Sequence, residues 1–161
     1  LEVVVDSEPE ILALNLETVK RMHPAVRQQA DYQRSLRVLK QIKANGLVSK
    51  SGIMVGIGEK DDEVIALMNE VRDFADTDIF TIGQYLQPTR NHLPLDRWVT
   101  PEQFLCYKKD GLLRGFKVVE SGPLVRSSYH AEEQAERLSP ERRETAAMME
   151  LLLAQARQQR E

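Results

Sequence analysis

Short apolar runs alternate along the chain with longer stretches in which apolar residues recur every three or four positions. The runs predict buried strands, and the recurring spacing predicts amphipathic helices. Strands are predicted at residues 11–16, 51–55 and 79–83, and helices at residues 31–45 and 61–74. Residues 1–6 would be the tail of an earlier helix. This order of elements indicates an α/β protein with a parallel sheet built from right-handed βαβ units.

Both predicted helices carry an apolar face and an end signal. Asn45-Gly46 gives the first a C-terminal stop, and acidic residues in the first turn of the second suit the positive end of a helix dipole. The faces consist of Tyr32, Leu36, Leu39 and Ile42 in the first helix and Val64, Leu67, Met68 and Val71 in the second.

The pattern changes after the third strand. Residues 87–99 contain two prolines and predict a long loop on the C-terminal side of the sheet. A helix should then start at Thr100, with Pro101 at its first position and Gln103 able to complete a capping box. It should end near Arg114.

Three further elements are predicted beyond that helix: a strand at 116–120, a turn at 121–123 and a polar helix beginning at 139. A closed eight-unit barrel usually needs about 250 residues. The chain therefore has the pattern of the second half of a barrel-like protein.

Composition narrows the class of protein. The 161 residues are 42% hydrophobic and 29% charged, which is typical of one globular domain. The net charge of −3 argues against sequence-blind nucleic-acid binding. Without an apolar run of about 20 residues or a signal peptide, we expect no membrane association and a soluble, intracellular protein, in the cytoplasm or an organelle matrix.

Two single residues add to this picture. Cys106 is the only cysteine, which excludes an intrachain disulfide and a thiolate metal site built from this chain alone. Because the sequence starts at Leu1 and enters in the middle of a pattern, we expect it to be a fragment.

Four stretches combine polar or glycine residues with predicted strand ends, where ligands of parallel α/β proteins bind. They are residues 15–18, 52–59, 81–88 and 122–130. The glycines of the second stretch would let a ligand approach the backbone, or would merely permit positive φ, and they do not form a dinucleotide fingerprint. Gln84 and Tyr85 in the third offer an amide and a stacking face. Taken singly, each stretch also fits a solvated turn.

Taken together, the stretches resemble the lipoyl synthases, a family of radical S-adenosylmethionine enzymes. The matching motifs occur in the family's order and spacing over about residues 1–135. They are NLETV (15–19), DYQRSL (31–36), KSGIMVGIGE (50–59), TIGQYLQPT (81–89), HLP (92–94) and GPLVRSSYHA (122–131). One departure is that Ala13 and Leu14 stand where the family usually has Asn-His.

The resemblance implies a partial (β/α)₆ TIM-like barrel. Residues 1–100 would be its second half, 101–131 a helix, strand and cluster-ligand loop, and 132–161 a polar helical tail. The family inserts two sulfur atoms into an octanoyl group borne on a lysine of a lipoyl carrier domain. One [4Fe–4S] cluster reductively cleaves S-adenosylmethionine with an external electron donor, and a second, auxiliary cluster is consumed as the sulfur donor. The cluster cysteines would lie in an N-terminal half that this sequence lacks, so we expect the chain alone to be inactive.

The resemblance also implies roles for individual residues. Ser128 would be the oxygen ligand of the auxiliary cluster, and Arg126 would hold its loop or lie against the anionic cluster. The residues implied for S-adenosylmethionine are Gly52, Ile53, Gly56 and Glu59 of a GxIxGxxE pattern at the adenine, Asn15 and Glu17 near the ribose and methionyl end, and Gln84 and Tyr85 at the strand-six wall.

Two other functions remain open at this point. One is a non-catalytic α/β module that binds the carrier domain, and the other is a related radical enzyme that inserts sulfur. The RSSYHA stretch at 126–131 argues against the second.

Overall fold

The computed structural model describes residues 2–7 and 9–138, in which helices alternate with four strands. The elements are α1 (Glu2–Val5), β1 (Ile11–Ala13), α2 (His23–Val26), α3 (Tyr32–Ala44), β2 (Val48–Val55), α4 (Asp61–Ala75), β3 (Ile79–Gln84), α5 (Pro101–Leu113), β4 (Val118–Gly122) and α6 (Ala131–Arg137). The chain divides into two compact units, Leu1–Tyr129 and His130–Glu161, and the described part of the second contains α6.

The four strands form one parallel sheet in the order β1-β2-β3-β4. Register pairs such as Gly52 with Thr81 and Gly83 with Gly122 place the C-terminal ends of neighbouring strands at one edge. The prediction of an α/β protein with a parallel sheet is therefore confirmed. The sheet is consistent with part of a TIM-like fold, and the (β/α)₆ barrel stays a prediction.

Helices α3, α4 and α5 lie where the sequence predicted them, to within one residue at each end. The Asp31 carboxylate accepts the Arg34 N–H at 2.5 Å, and the Thr100 hydroxyl accepts the Gln103 N–H at 3.2 Å. The apolar faces of these helices join the inner strands in one core. Because each fully buried aliphatic or aromatic side chain stabilises a fold by about 1.5–3 kcal/mol, this core is the main source of stability. Its most buried large members are Leu16, Leu36, Leu39, Ile42, Met68, Phe80, Ile82, Phe104 and Tyr107.

The boundaries of the first two strands differ from prediction. β2 starts at Val48 rather than at residue 51, because the polar residues at its start are buried and Ser49 is hydrogen-bonded there: its N–H donates to the Asp78 carboxylate at 3.1 Å. β1 is regular only from Ile11 to Ala13, although residues 11–16 were expected. Pairing with β2 still continues to Leu16, whose N–H donates to the Gly52 carbonyl at 3.1 Å.

The last strand was misplaced by two residues. Residues 116–120 were predicted, but β4 covers Val118–Gly122. Phe116 instead turns into the core, where its ring packs 5.0 Å from that of Phe80. The Lys117 and Val118 N–H groups both donate to the Asp78 carbonyl, so regular pairing starts at Val118. Ser121 therefore belongs to the strand and not to a turn.

Three other findings complete the description of the fold. His23 opens α2 and is buried. The helix predicted to begin at residue 139 lies outside the described residues. None of the described helices has the length and apolar character needed to cross a bilayer.

Candidate functional site

A small cleft of about 180 Å³ lies at the C-terminal ends of the strands. It is lined by Asn15, Glu17, Gly52, Ile53, Met54, Thr81, Gly83, Val125, Arg126 and Ser127. Five of the predicted site residues are thereby brought together, namely Asn15, Glu17, Gly52, Ile53 and Arg126. This edge is where parallel α/β proteins bind ligands.

Hydrogen bonds to the backbone atoms of Asn15 and Glu17 hold both residues at the cleft. The Arg27 guanidinium donates to the Asn15 carbonyl at 2.8 Å, and the Glu17 N–H donates to the Gly52 carbonyl at 3.1 Å. Glu17 adopts φ 68°, a left-handed conformation that is uncommon for a residue with a Cβ. The side-chain oxygen of Asn15 is buried and has no partner within the described part of the chain. A buried acceptor without a donor suits a polar ligand in this cleft.

A second, larger cleft of about 890 Å³ shares Glu17 and Met54 with the first. Tyr85 forms part of its wall and is fixed by a hydrogen bond from its hydroxyl to the Leu93 carbonyl at 2.8 Å. The cleft is lined further by Ala25, Val26, Arg27, Gln28, Gln29, Ala30, Ile57, Pro88, Asn91, His92 and Leu93.

The side chain of Glu59 stabilises the loop between β2 and α4, residues 56–60, called here the glycine loop. Its side chain is buried, and its carboxylate accepts N–H groups from Gly56 at 2.7 Å, Ile57 at 2.9 Å and Gly58 at 3.3 Å. The carboxylate also pairs with Arg97 at 3.3 Å. With its oxygens used in this way, Glu59 shapes the loop between the strand and α4 rather than reaching into either cleft.

Gln84 is also buried, and its side-chain amide is hydrogen-bonded to backbone groups. Its amide nitrogen donates to the carbonyls of Val55 at 3.2 Å and Arg97 at 3.2 Å, and its oxygen accepts the Val99 N–H at 2.9 Å. A methyl group on Gly56 would overlap this amide nitrogen. The space beside Gly56 is thus occupied by Gln84, whereas the sequence had suggested that a ligand would occupy it.

Arg97 was missed by sequence reasoning, and it joins the loop before α5 to two other elements. Its guanidinium donates to Asp61 at 2.7 Å as well as to Glu59. Burial alone would raise the pKa of Asp61, but hydrogen bonds from Tyr107 and Arg97 outweigh it and lower that pKa. No local pattern marks Arg97, because its partners lie more than thirty residues away in sequence.

Arg126 opens the turn that carries the two serines. Its guanidinium donates to the Val125 carbonyl at 2.7 Å, and its own carbonyl accepts the Tyr129 N–H at 2.9 Å. Ser127 and Ser128 are therefore the central residues of a hydrogen-bonded turn. Both are exposed, and it is Ser127 rather than Ser128 that lines the small cleft. Ser128, the serine expected to be the cluster ligand, does not line this cleft.

The described residues contain no group of three or more His, Cys, Asp or Glu side chains that could hold a metal ion. Cys106 lies exposed on α5. Because Cys106 is the only cysteine of the sequence, a cluster next to the serine turn would need thiolates from elsewhere.

No protein-family model matches the chain. Among curated proteins, the lipoyl synthase of Rubrobacter xylanophilus is 54% identical over 138 residues, which are 84% of this chain and 43% of that protein. The lipoyl synthase of Parabacteroides distasonis is 53% identical over 132 residues, 82% of this chain and 47% of that protein. A mitochondrial lipoyl synthase of Nematostella vectensis is 53% identical over 133 residues, 82% of this chain and 45% of that protein.

The chain spans about half the length of the curated relatives it matches. The matched residues cover more than four fifths of the chain, at identities far above those of unrelated proteins. By sequence, the chain belongs to the lipoyl synthase family.

Proposed function

We propose that the chain forms one wall of the S-adenosylmethionine site of a lipoyl synthase and carries a ligand of its auxiliary cluster. The enzyme would insert two sulfur atoms into the octanoyl group on a lipoyl carrier domain. One observation carries the proposal: three motifs that are distant in sequence line one small cleft at the strand ends, represented by Asn15, Gly52 and Arg126.

Asn15 and Glu17 fit the polar part of S-adenosylmethionine. The unpartnered oxygen of Asn15 would accept a hydrogen bond from a ribose hydroxyl or the α-amino group, and the Glu17 carboxylate would face the positively charged methionyl end. Gly52 and Ile53 would give the adenine close access to the backbone. When bound, the cofactor and the two [4Fe–4S] clusters supply the hydrogen-abstracting radical and the sulfur.

Glu59, Gly56 and Gln84 would act on the cofactor indirectly. Their hydrogen bonds fix the glycine loop and the start of the loop after β3, and these segments meet Tyr85 at the larger cleft. Their proposed role is to keep the wall in one conformation, so that the cofactor need not order it on binding.

The serine turn would supply the oxygen ligand of the auxiliary cluster. A hydroxyl oxygen is a hard ligand for an iron that normally prefers thiolate, so it leaves more readily than a cysteine would as sulfur is removed. We assign this role to Ser128, with Ser127 as the alternative because it lines the cleft. Arg126 would hold the turn and counter the negative charge of the cluster.

The chain alone should be inactive. Two [4Fe–4S] clusters need several thiolates, and Cys106 is the only cysteine of the sequence. The other ligands would come from the rest of a protein that is about twice as long, as in the curated relatives. We place the protein in the cytoplasm or an organelle matrix, with an external electron donor and the octanoylated carrier domain as partners.

The test is lipoyl formation by a full-length version that contains this sequence. The protein would be reconstituted with iron and sulfide without oxygen and given S-adenosylmethionine, a reductant and an octanoylated carrier domain. We expect mass spectrometry of the carrier domain to show two added sulfur atoms. A protein that binds the carrier domain but never cleaves S-adenosylmethionine would instead be the non-catalytic module.

A further inference from the structure

The segment after β4 crosses directly over the end of β3 at Gly83. The Val125 carbonyl oxygen lies where a side chain of residue 83 would start, so a methyl group there would overlap it. The same methyl group would lie 3.3 Å from the Val125 carbonyl carbon and 3.3 Å from a guanidinium nitrogen of Arg126. The closest atom, the Val125 carbonyl oxygen, belongs to the backbone, which cannot swing aside as a flexible side chain can.

This contact connects to the serine turn through a short series of hydrogen bonds. The Val125 N–H donates to the Gly122 carbonyl at 3.1 Å, which closes the chain reversal after β4. The Val125 carbonyl that faces Gly83 accepts the Arg126 guanidinium at 2.7 Å. Arg126 in turn accepts the Tyr129 N–H and so fixes the turn around the two serines.

Gly83 has a natural comparison on the next strand. Gly122 is its register partner in β4, so both residues point to the same face of the sheet. A methyl group on Gly122 would lie 3.5 Å from the Val125 side chain, which is ordinary van der Waals contact. Neither glycine has positive φ. An alanine is therefore sterically excluded at one position and accepted at the other, with the same change in chemistry.

We propose that Gly83 is a positioning residue for the serine turn of the auxiliary cluster. The inference rests on the proposed function and adds a residue that acts on the serine turn through Val125 and Arg126, although Gly83 itself also lines the small cleft. The absence of a side chain at Gly83 lets the turn settle on β3, which sets the distance of the serine hydroxyls from the small cleft. A shift of about 1 Å in such a group can cost as much as a hundredfold in rate.

The experiment compares Gly83→Ala with Gly122→Ala in the full-length protein. Without clusters, hydrogen exchange of the peptide spanning residues 123–130 reports the turn itself. We expect this exchange to be roughly fivefold faster in Gly83→Ala, the factor for one lost hydrogen bond, and unchanged in Gly122→Ala. Equal exchange in the two variants and the parent would overturn the proposal.

In the reconstituted protein, the expected result for Gly83→Ala is uncoupling. S-adenosylmethionine cleavage should continue, the spectrum of the auxiliary cluster should change, and lipoyl product should fall by about ten- to a hundredfold. Gly122→Ala should match the parent in all three. An unchanged cluster spectrum and full lipoyl yield in Gly83→Ala would contradict the proposal.

The experiments distinguish failure of the proposed function from failure of the role assigned to Gly83. A parent protein that inserts no sulfur overturns the proposed function, while the exchange comparison still decides whether Gly83 positions the turn. If Gly83→Ala does not fold, Arg126→Ala provides the second variant, because Arg126 is exposed and its loss removes the bond to the Val125 carbonyl. Exchange of the same peptide must then rise in the cluster-free protein, and no rise overturns the inference.

Discussion

The carboxylate of Glu59 accepts the backbone N–H of Gly56 at 2.7 Å, three residues earlier in the same loop. The bond is buried, and two more N–H groups of the loop share the same side chain. The loop at the end of β2 is thus held by a side chain of its own rather than by a ligand. Its conformation should therefore depend on residue 59 before any cofactor binds.

Replacement of Glu59 tests this dependence. In the full-length protein, we expect Glu59→Ala to lower the free energy of unfolding by about 1–3 kcal/mol, because buried N–H groups lose their acceptor. Cofactor affinity, measured by calorimetry with S-adenosylmethionine, should fall, while iron content stays near that of the parent. Glu59→Gln should have a smaller effect because one acceptor oxygen remains.

Asp73→Ala, which removes a carboxylate at an exposed position of α4, is the matched control. It should change neither the free energy of unfolding nor the affinity for S-adenosylmethionine. Unchanged cofactor affinity in Glu59→Ala, together with reduced stability, would remove the glycine loop from the cofactor site.

Gly56 and Gly46 separate backbone strain from steric contact. Both have positive φ, 97° and 78°, but a methyl group on Gly46 would meet nothing within 4 Å. We expect Gly46→Ala to cost about 1–2 kcal/mol of stability from strain alone. Gly56→Ala should cost about 1–3 kcal/mol more, because the methyl group would overlap Gln84 and lie 2.5 Å from the Arg97 carbonyl. Chemical denaturation measures both, and equal costs would show that Gln84 yields without penalty.

Asp78 should make stability depend on acid. Its side chain is 1% exposed and pairs with Lys43 at 2.6 Å and Lys117 at 2.8 Å. Burial alone would raise its pKa, but hydrogen bonds from Lys117, Lys43 and the Ser49 N–H outweigh it and hold the pKa below the ordinary value of 3.8. A depressed pKa in the folded state stabilises the protein above the ordinary pKa, and this contribution is lost as the pH falls through the folded pKa.

The measurement is the midpoint of thermal unfolding from neutral pH to below pH 3.8 for Asp78→Asn and its control. Asp78→Asn should lose roughly 1.5–3 kcal/mol at neutral pH and show a weaker fall in acid than the parent. Asp76→Asn is the control, because Asp76 is exposed and asparagine tolerates its left-handed conformation. An acid dependence that is identical in the parent and Asp78→Asn would exclude Asp78 as its source.

The sequence predicted those parts of the fold that depend on local signals. Helix α5 starts directly after Thr100 because that side chain caps its first turn, and α3 ends directly before the Asn45-Gly46 stop; both signals are visible in the sequence. The start of β2 was missed because Ser49 and Lys50 look solvent-exposed by type. Only their tertiary partners, such as Asp78 for Ser49, make a polar strand start stable in the interior.

The same distinction applies to the candidate site. Asn15 and Gly52 could be placed together because parallel strands end at one edge of the sheet. The supporting contacts of Arg97 and Gly83 could not be predicted, because they join segments that are about forty residues apart in the sequence. For Gly83 a weak signal existed, because a glycine inside an apolar strand often marks close approach of another backbone.

In the proposed function, the serine turn supplies an oxygen ligand to the sulfur-donating cluster. In a full-length version, Ser128→Ala should keep reductive cleavage of S-adenosylmethionine but lose lipoyl formation, because the auxiliary cluster lacks its oxygen ligand. Ser128→Cys should retain both clusters and the radical chemistry yet slow sulfur insertion, since thiolate binds iron more tightly than a hydroxyl oxygen.

The most direct measurement is lipoyl product formed per 5′-deoxyadenosine released, with iron per chain, for Ser127→Ala and Ser128→Ala side by side. We expect a ratio near zero for Ser128→Ala, with less iron per chain, and a milder loss for Ser127→Ala. The reverse order would move the ligand to Ser127, the serine that lines the cleft. Full lipoyl yield in both variants and in the double variant would contradict the claim that this turn holds the cluster.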